Sequence, residues 1–388
     1  MKYFQLAELA EIINGSTPLK SNKKFWDNGT INWFTAEDLR KGDEVNSTKK
    51  FITKFALDNT SIKLVPKDSV LLCCTASIGL IGINKIELTT NQQFNAIVPD
   101  KELINFRYLF YFLKSYMSEF EKKASTTTVG FISQKKVKSI LVPVPSLQEQ
   151  EKIVDKLDKV FENIQNNLDM LNYLNTLITT KLEKSIFISE CEKVDTKKLK
   201  VKEFSNIQGG GTPKTSVKEY WGGEIDFYTP KELSQHSDIE ISSSSKKVTK
   251  LGLSKGAGKL LPVDTILFSS RAPIGYVAIL KKEGSTNQGF QSFLLKNQND
   301  KYFFYFLLRN NKEYIESYAP GATFKDISKS RIEEIEFAIP SYEQQIEIGK
   351  KMVKVKNNIE KKSKLYKSKY EELLKLRKSI LNKEFSYE

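Results

Sequence analysis

The chain holds one histidine, three cysteines and no apolar run approaching the ~18 residues that a membrane span needs, and each shortage removes a class of function. His236, the one histidine, stands between Gln235 and Ser237 in a polar stretch, so a Ser-His-Asp triad or a zinc site is not expected, and it reads as a surface loop residue. Cys73 and Cys74 are neighbours in an apolar run and Cys191 is isolated. No disulfide framework or Cys-x-x-Cys metal site follows, and buried packing explains the adjacent pair. No two prolines are adjacent, which excludes the Asn/Asp-Pro-Pro-Tyr/Phe loop that receives a flipped adenine for methylation. The phosphate loop Gly-x-x-x-x-Gly-Lys-Ser/Thr is missing as well. Gly209-Gly210-Gly211 runs into Thr212-Pro213, so it is a flexible turn rather than a dinucleotide loop. No catalytic residue, cofactor or metal is expected. Glu8 and Glu11 fall where a secretion signal would be apolar, so the expectation is a soluble cytoplasmic protein with no membrane partner.

What is abundant is positive charge. The 61 Lys and Arg against 47 Asp and Glu leave a formal charge of +14, which favours a polyanionic partner, nucleic acid first. An AT-rich genome would also enrich lysine and asparagine, so the charge does not decide alone. At 388 residues, 39% of them hydrophobic, the chain can bury two ordinary cores.

The chain is written twice. Gly15-Ser16-Thr17-Pro18 returns as Gly210-Gly211-Thr212-Pro213, Trp26 as Trp221, and Ile31-Asn32-Trp33-Phe34-Thr35 as Ile225-Asp226-Phe227-Tyr228-Thr229. Further on, Ala76-Ser77-Ile78-Gly79 matches Ala272-Pro273-Ile274-Gly275, and Thr90-Asn91-Gln92-Gln93-Phe94 matches Thr286-Asn287-Gln288-Gly289-Phe290. Ile132-Ser133 through Pro145-Ser146 returns as Ile327-Ser328 through Pro340-Ser341. A repeat this long implies a duplicated domain plus a connector rather than a solenoid.

Within each half, short apolar runs such as 69–74 and 265–268, set between Gly, Pro, Asn and Ser, predict strands. The aromatic blocks 108–112 and 302–308 lie in stretches with helical spacing (Leu109, Leu113, Tyr116, Phe120 in the first) and predict core helices packed on a sheet. After Pro145 and Pro340, a serine followed by Glu or Gln inside the next turn signals a helix start. Apolar residues then recur at three and four from Ile153 to Leu182 and from Ile348 to Ile380, with a weak point at Lys362. Two helices of about 38 residues, each about 57 Å long at 1.5 Å per residue, need partners for their apolar stripes, and each is the other's candidate. Duplication would relate the halves by an approximate two-fold axis and set the helices antiparallel, bringing Glu388 back near Met1.

In this layout the sequence resembles the specificity subunits of type I restriction-modification systems. The residues that carry the resemblance are the paired Gly-Ser/Gly-Thr-Pro loops, Asn91-Gln92 and Asn287-Gln288, the paired Ile-Gly turns, and Pro-Ser-x-x-Glu/Gln-Gln opening each long helix. The fold implied is α+β: two repeated target-recognition domains, 1–146 and 189–341, of mixed strands with packed helices. They are joined by two long antiparallel coiled-coil helices, 147–188 and 342–388, with pseudo-two-fold symmetry. The resemblance also implies that each lobe reads one half of a bipartite double-stranded DNA target. The helices would dock two methyltransferase subunits, through which restriction subunits attach; the chemistry belongs to those partners.

Base reading needs amides, hydroxyls and guanidinium groups on loops, so loops that recur in both halves supply the candidates. These are Thr17 and Lys20 with Thr212 and Lys214; Thr75 and Ser77 with Ser270 and Arg271; Asn91 and Gln92 with Asn287 and Gln288; and Thr127 with Thr323 and Lys325. Arg271 can pair bidentately with guanine, and Ala76 is taken as its counterpart in the first copy. The Asn-Gln pairs serve equally well as amides tying a turn. Residues 350–383 hold thirteen basic residues against three acidic ones, which is either a solvated face or a face toward the DNA spacer. Three rival readings stand beside this one: an enzyme that itself modifies DNA, a coiled-coil adaptor that reads none, and a subunit of a methylation-only complex.

Overall fold

The computed structural model describes residues 2–75, 78–124, 131–256, 258–320 and 326–385, the side chains of 40, 41 and 118–124 excepted. The expected return of Glu388 to Met1 lies outside them. The chain forms two compact units, one of residues 1–170 with 369–388 and the other of residues 171–368.

The first unit centres on a five-stranded sheet in the order Ala10–Asn14, Phe94–Pro99, Val70–Cys73, Ile81–Asn84, Glu44–Val45. The second repeats it as Ser205–Gly209, Gln291–Leu295, Ile266–Phe268, Val277–Leu280, Glu240–Ile241. Val70–Cys73 and Ile266–Phe268 are buried along their whole length, which explains why they read as continuous apolar runs rather than as alternating strands. A three-stranded sheet flanks each large one: Lys50–Ile52, Ile31–Phe34 and Thr89–Thr90 in one unit, Lys247–Val248, Trp221–Tyr228 and Gly284–Thr286 in the other. A third, two-stranded pairing joins Lys2–Gln5 to Leu141–Val144 and Thr196–Lys200 to Glu336–Pro340.

The aromatic helices, Phe106–Ala124 and Lys301–Asn310, pack on the large sheets. Tyr108, Leu109, Leu113 and Met117 are buried, as are Phe303, Phe304, Tyr305 and Phe306. The buried stripe of the first continues at steps of four to Met117, so Tyr116 turns outward instead of inward, its ring 6.0 Å from that of Phe112.

The first long helix runs Leu147–Leu177, widens to a π turn over Ile178–Leu182, and continues as Glu183–Cys191. The hydroxyls of Thr179 and Thr180 donate to the carbonyls of Asn175 and Thr176, both at 2.7 Å, and compete with the α ladder at the turn. The second helix is unbroken over Tyr342–Phe385, Lys362 included. Both begin with a capping box: the Ser146 and Ser341 backbone amides donate to Glu149 and Gln344 side chains at 3.0 and 3.1 Å, and the serine hydroxyls accept in return.

The following glutamines fasten each helix to its unit. Buried Gln150 accepts from the Asn105 amide at 2.8 Å and donates to the Leu103 and Pro145 carbonyls; Gln345 accepts from Asp300 and donates to Pro340, both at 3.0 Å. Within the first unit, Lys156 pairs with Glu384 at 2.6 Å and Arg377 lies over the Phe161 ring, so the two helix segments run antiparallel there. Within the second unit, Lys351 pairs with Glu190 at 2.6 Å.

Candidate nucleic-acid interface

Strand register decides which loops meet. Asn14 pairs with Asn95 and Cys73 with Phe94, so the chain leaves Ala10–Asn14 and Val70–Cys73, and enters Phe94–Pro99, at one end of the sheet. Residues 15–20, 74–75 with 78–80, and 91–93 therefore converge. Thr75 also bridges Phe131, which brings the start of the Ile-Ser segment to the same place. The second unit repeats the convergence through Gly209 opposite Gln291, Ser269 opposite Phe290, and Arg271 opposite Asp326.

The recurring glycine is a matter of space. A Cβ on Gly15 would lie 1.9 Å from the Asn91 carbonyl oxygen, and one on Gly210 would lie 2.0 Å from that of Asn287. The amides of Ser16 and Gly211 donate to the carbonyls of Thr90 and Thr286, both at 2.9 Å, holding the two loops edge to edge. Across this seam the Thr17 hydroxyl donates to Gln92 Oε1, and the Thr212 hydroxyl to Gln288 Oε1. Gln92 and Gln288 are exposed, so the same Thr-Gln pair faces solvent at the sheet end of both units.

The neighbouring asparagines do a different job. Asn91 Oδ1 accepts from the Gln93 amide at 3.0 Å and its Nδ2 donates to Gln93 Oε1; Asn287 Oδ1 accepts from the Gly289 amide at 3.0 Å. These are the bonds of an amide that ties a turn. The loop leading away is pinned by an indole: Trp26 Nε1 donates to the Leu19 carbonyl and Trp221 Nε1 to the Lys214 carbonyl, both at 3.3 Å. Lys20 and Lys214 are exposed beside it.

Register corrects one equivalence. The Ile132 amide donates to the Cys74 carbonyl and the Ile327 amide to the Ser270 carbonyl, so Cys74 matches Ser270, and Thr75, rather than Ala76, matches Arg271. Ser270 is fully buried, and among the described residues its hydroxyl has no partner, because it occupies the inward position before the loop; it offers nothing to the surface. Arg271 is half exposed and its Nε donates to Asp326 Oδ2 at 2.8 Å. Ser77, Thr127, Thr323 and Lys325 lie outside the described residues, as does Ala76.

Two residues at this sheet end escaped the sequence reading. Asp326 and Phe131 each directly precede the recurring Ile-Ser, and Phe131 is 64% exposed. Their one signal was position, a residue that differs between the two copies beside a pair that recurs. Burial pushes the Cys74 thiol up to about 11, away from the thiolate form that a nucleophile needs, and Asn95 Nδ2 donates to its sulfur at 3.1 Å. His236 is a loop residue whose Nε2 lies 3.1 Å from the Glu240 carbonyl. Among the described residues no His, Cys, Asp and Glu cluster could hold a metal, and no helix is long and apolar enough to cross a membrane.

The model of the type I restriction modification DNA specificity domain matches residues 1–176 and again 193–367. The MjaIX specificity subunit of Methanocaldococcus jannaschii is 37% identical over 167 residues, 42% of this chain and 39% of that protein. The EcoR124I/EcoR124II specificity subunit of Escherichia coli is 32% identical over 172 residues, 42% of this chain and 41% of that protein. The chain thus spans about two-fifths of the length of these relatives. The MjaVIII specificity subunit of M. jannaschii is 23% identical over 385 residues, covering 91% of this chain and 85% of its own. In fold, the chain is similar to one from a structural study of type I R-M assembly and conformational transition, with a TM-score of 0.75 at 16% identity and 99% and 97% of the two chains covered. The HsdS subunit from Thermoanaerobacter tengcongensis gives 0.58 at 16% identity, with 99% and 96% covered.

Proposed function

Because the chain belongs to the family of type I restriction modification DNA specificity domains, we propose that it is a non-catalytic subunit that reads a bipartite double-stranded DNA target. Residues 1–146 and 189–341 act as the two target-recognition domains, each reading one half-site. Helices 147–188 and 342–388 dock two methyltransferase subunits, and restriction subunits join through those. The work is done in the cytoplasm.

The observation that carries this reading is the same loop cluster built twice, at the same sheet end of two separate units. In each, a Gly packed on an Asn carbonyl aims an exposed Thr-Gln pair outward. Thr17, Gln92 and Thr75 in one unit, and Thr212, Gln288 and Arg271 in the other, offer hydroxyl, amide and guanidinium groups suited to base edges. Lys20 and Lys214 supply charge for phosphate, and the net charge of +14 suits a polyanion. Asn91 and Ser270 are buried and Asn287 half-buried, and they hold the loops from behind.

The test is binding of duplex DNA by the chain assembled with its methyltransferase partners, at several salt concentrations. Sequence-dependent affinity that falls as salt rises is expected. Equal affinity for every duplex, or none at low salt, would overturn the reading.

A further inference from the structure

The two units differ at one equivalent pair of positions in the loop cluster. Thr75 bridges Phe131 in the first unit and Arg271 bridges Asp326 in the second, and in each case the following Ile amide donates to the carbonyl of the residue before the bridge, Ile132 to Cys74 at 2.8 Å and Ile327 to Ser270 at 3.0 Å. The surroundings are kept: Ser133 and Ser328 cap short helices by accepting from Lys136 and Arg331 amides at 3.3 and 3.4 Å. The paired side chains change from a hydroxyl beside an exposed phenyl ring to an ion pair. Both pairs are on the surface at the sheet end where the recurring loops meet, so the change alters what each unit presents to a partner.

We infer that this pair is a specificity-determining position, with Asp326 a positioning residue that aims Arg271 at guanine, and with Phe131 meeting thymine at the equivalent position of the other unit. The inference rests on the DNA-reading proposal above. Arg271 gives Asp326 its Nε, at 2.8 Å, and among the described residues Nη1 and Nη2 have no protein partner. That leaves the forked end of the guanidinium, two parallel N–H donors, free for the O6 and N7 acceptors of one guanine. Without the carboxylate the side chain would sample several rotamers, and the fork would lose its fixed direction. Phe131, 64% exposed beside Thr75, carries no hydrogen-bonding group; the base feature it can recognise from the major groove is the thymine methyl.

The experiment is long-read mapping of methylation in a host that expresses the full chain with its methyltransferase, comparing wild type with Arg271→Ala, Asp326→Asn, Phe131→Ala and the double variant Thr75→Arg/Phe131→Asp. An exposed ion pair contributes little to stability, so Asp326→Asn is expected to fold normally. Arg271→Ala and Asp326→Asn should relax the same single base position of one half-site, Arg271→Ala by about 5- to 150-fold in discrimination. Phe131→Ala should relax one position of the other half-site, and the double variant should shift that position toward guanine. If Asp326→Asn leaves the motif unchanged, or relaxes a position different from that of Arg271→Ala, Asp326 does not position the arginine. If the double variant keeps the original base preference, the equivalence fails while DNA reading stands. Absence of any bipartite motif in the wild-type host would sink the DNA-reading proposal and this inference with it.

Discussion

Gly209 and Gly210 are adjacent, yet alanine should act on them in opposite directions. A Cβ on Gly209 finds its nearest neighbour, Gln291 Oε1, at 3.4 Å, an ordinary contact with a movable side chain. With room available, Gly209→Ala should stabilise by about 0.4–1 kcal/mol by restricting the unfolded chain. A Cβ on Gly210 would sit 2.0 Å from the Asn287 carbonyl oxygen and 2.6 Å from that of Thr286, both backbone atoms on a turn fixed by the Asn287 side chain. Neither can yield by rotating a bond, so the loop itself must shift. Overpacking of this kind costs about 1–3 kcal/mol, which for a unit of this size lowers the melting temperature by about 2–12 °C. The shift also carries Thr212 away from Gln288, so reading of one half-site should fail while the other survives. Differential scanning calorimetry of the purified variants, with methylation mapping of the assembled complexes, checks both parts. The reasoning is refuted if Gly210→Ala melts with wild type and methylates the same motif, or if Gly209→Ala does equal damage.

Gln345→Leu should destabilise by about 1–3 kcal/mol for each group it strands, since it leaves the Asp300 amide and the Pro340 carbonyl unpaired in a site where the glutamine is 2% exposed. Denaturant unfolding would show it, and Gln150→Leu should do the same to the first unit. Lys200 and Lys202 hold the Glu334 carboxyl down to about 2, well below the usual carboxylate range. A depressed carboxylate stabilises the folded state above its unfolded pKa, and that contribution is lost as pH falls toward about 2. Glu334→Gln should therefore flatten the acid limb of a melting-temperature profile, and the difference should shrink in high salt because the pair is exposed. Identical acid limbs would contradict the assignment.

How far the sequence could be read depended on whether a signal was local. The strand runs at Val70–Cys73 and Ile266–Phe268, the aromatic helices and the capping boxes at Ser146 and Ser341 all rest on contacts within a few residues, and each was legible. Gly15 and Gly210 were visible as a recurring pattern, but their reason, a carbonyl about 75 residues further along, is a tertiary contact that no local rule supplies. The same holds for Gln150 and Gln345, which look like ordinary first-turn residues until Asn105 and Asp300 are seen beside them. Asn91 and Gln92 are neighbours in sequence with separate duties: one side chain folds back into its turn and the other reaches Thr17. The match of Arg271 to Thr75 followed from strand register, which a one-residue slip reverses. The π turn at Ile178–Leu182 had a local cause in two adjacent threonines, and its form emerged only with the hydroxyls placed.

The central claim, that each repeated unit reads its own half of a bipartite target, is tested most directly by replacing residues 1–146 with the corresponding lobe of another family member and mapping the methylated motif in a host expressing the chimera with its methyltransferase. The account predicts a motif in which one half-site changes to that of the donor and the other is unchanged. A motif altered in both halves, or in neither, would contradict it.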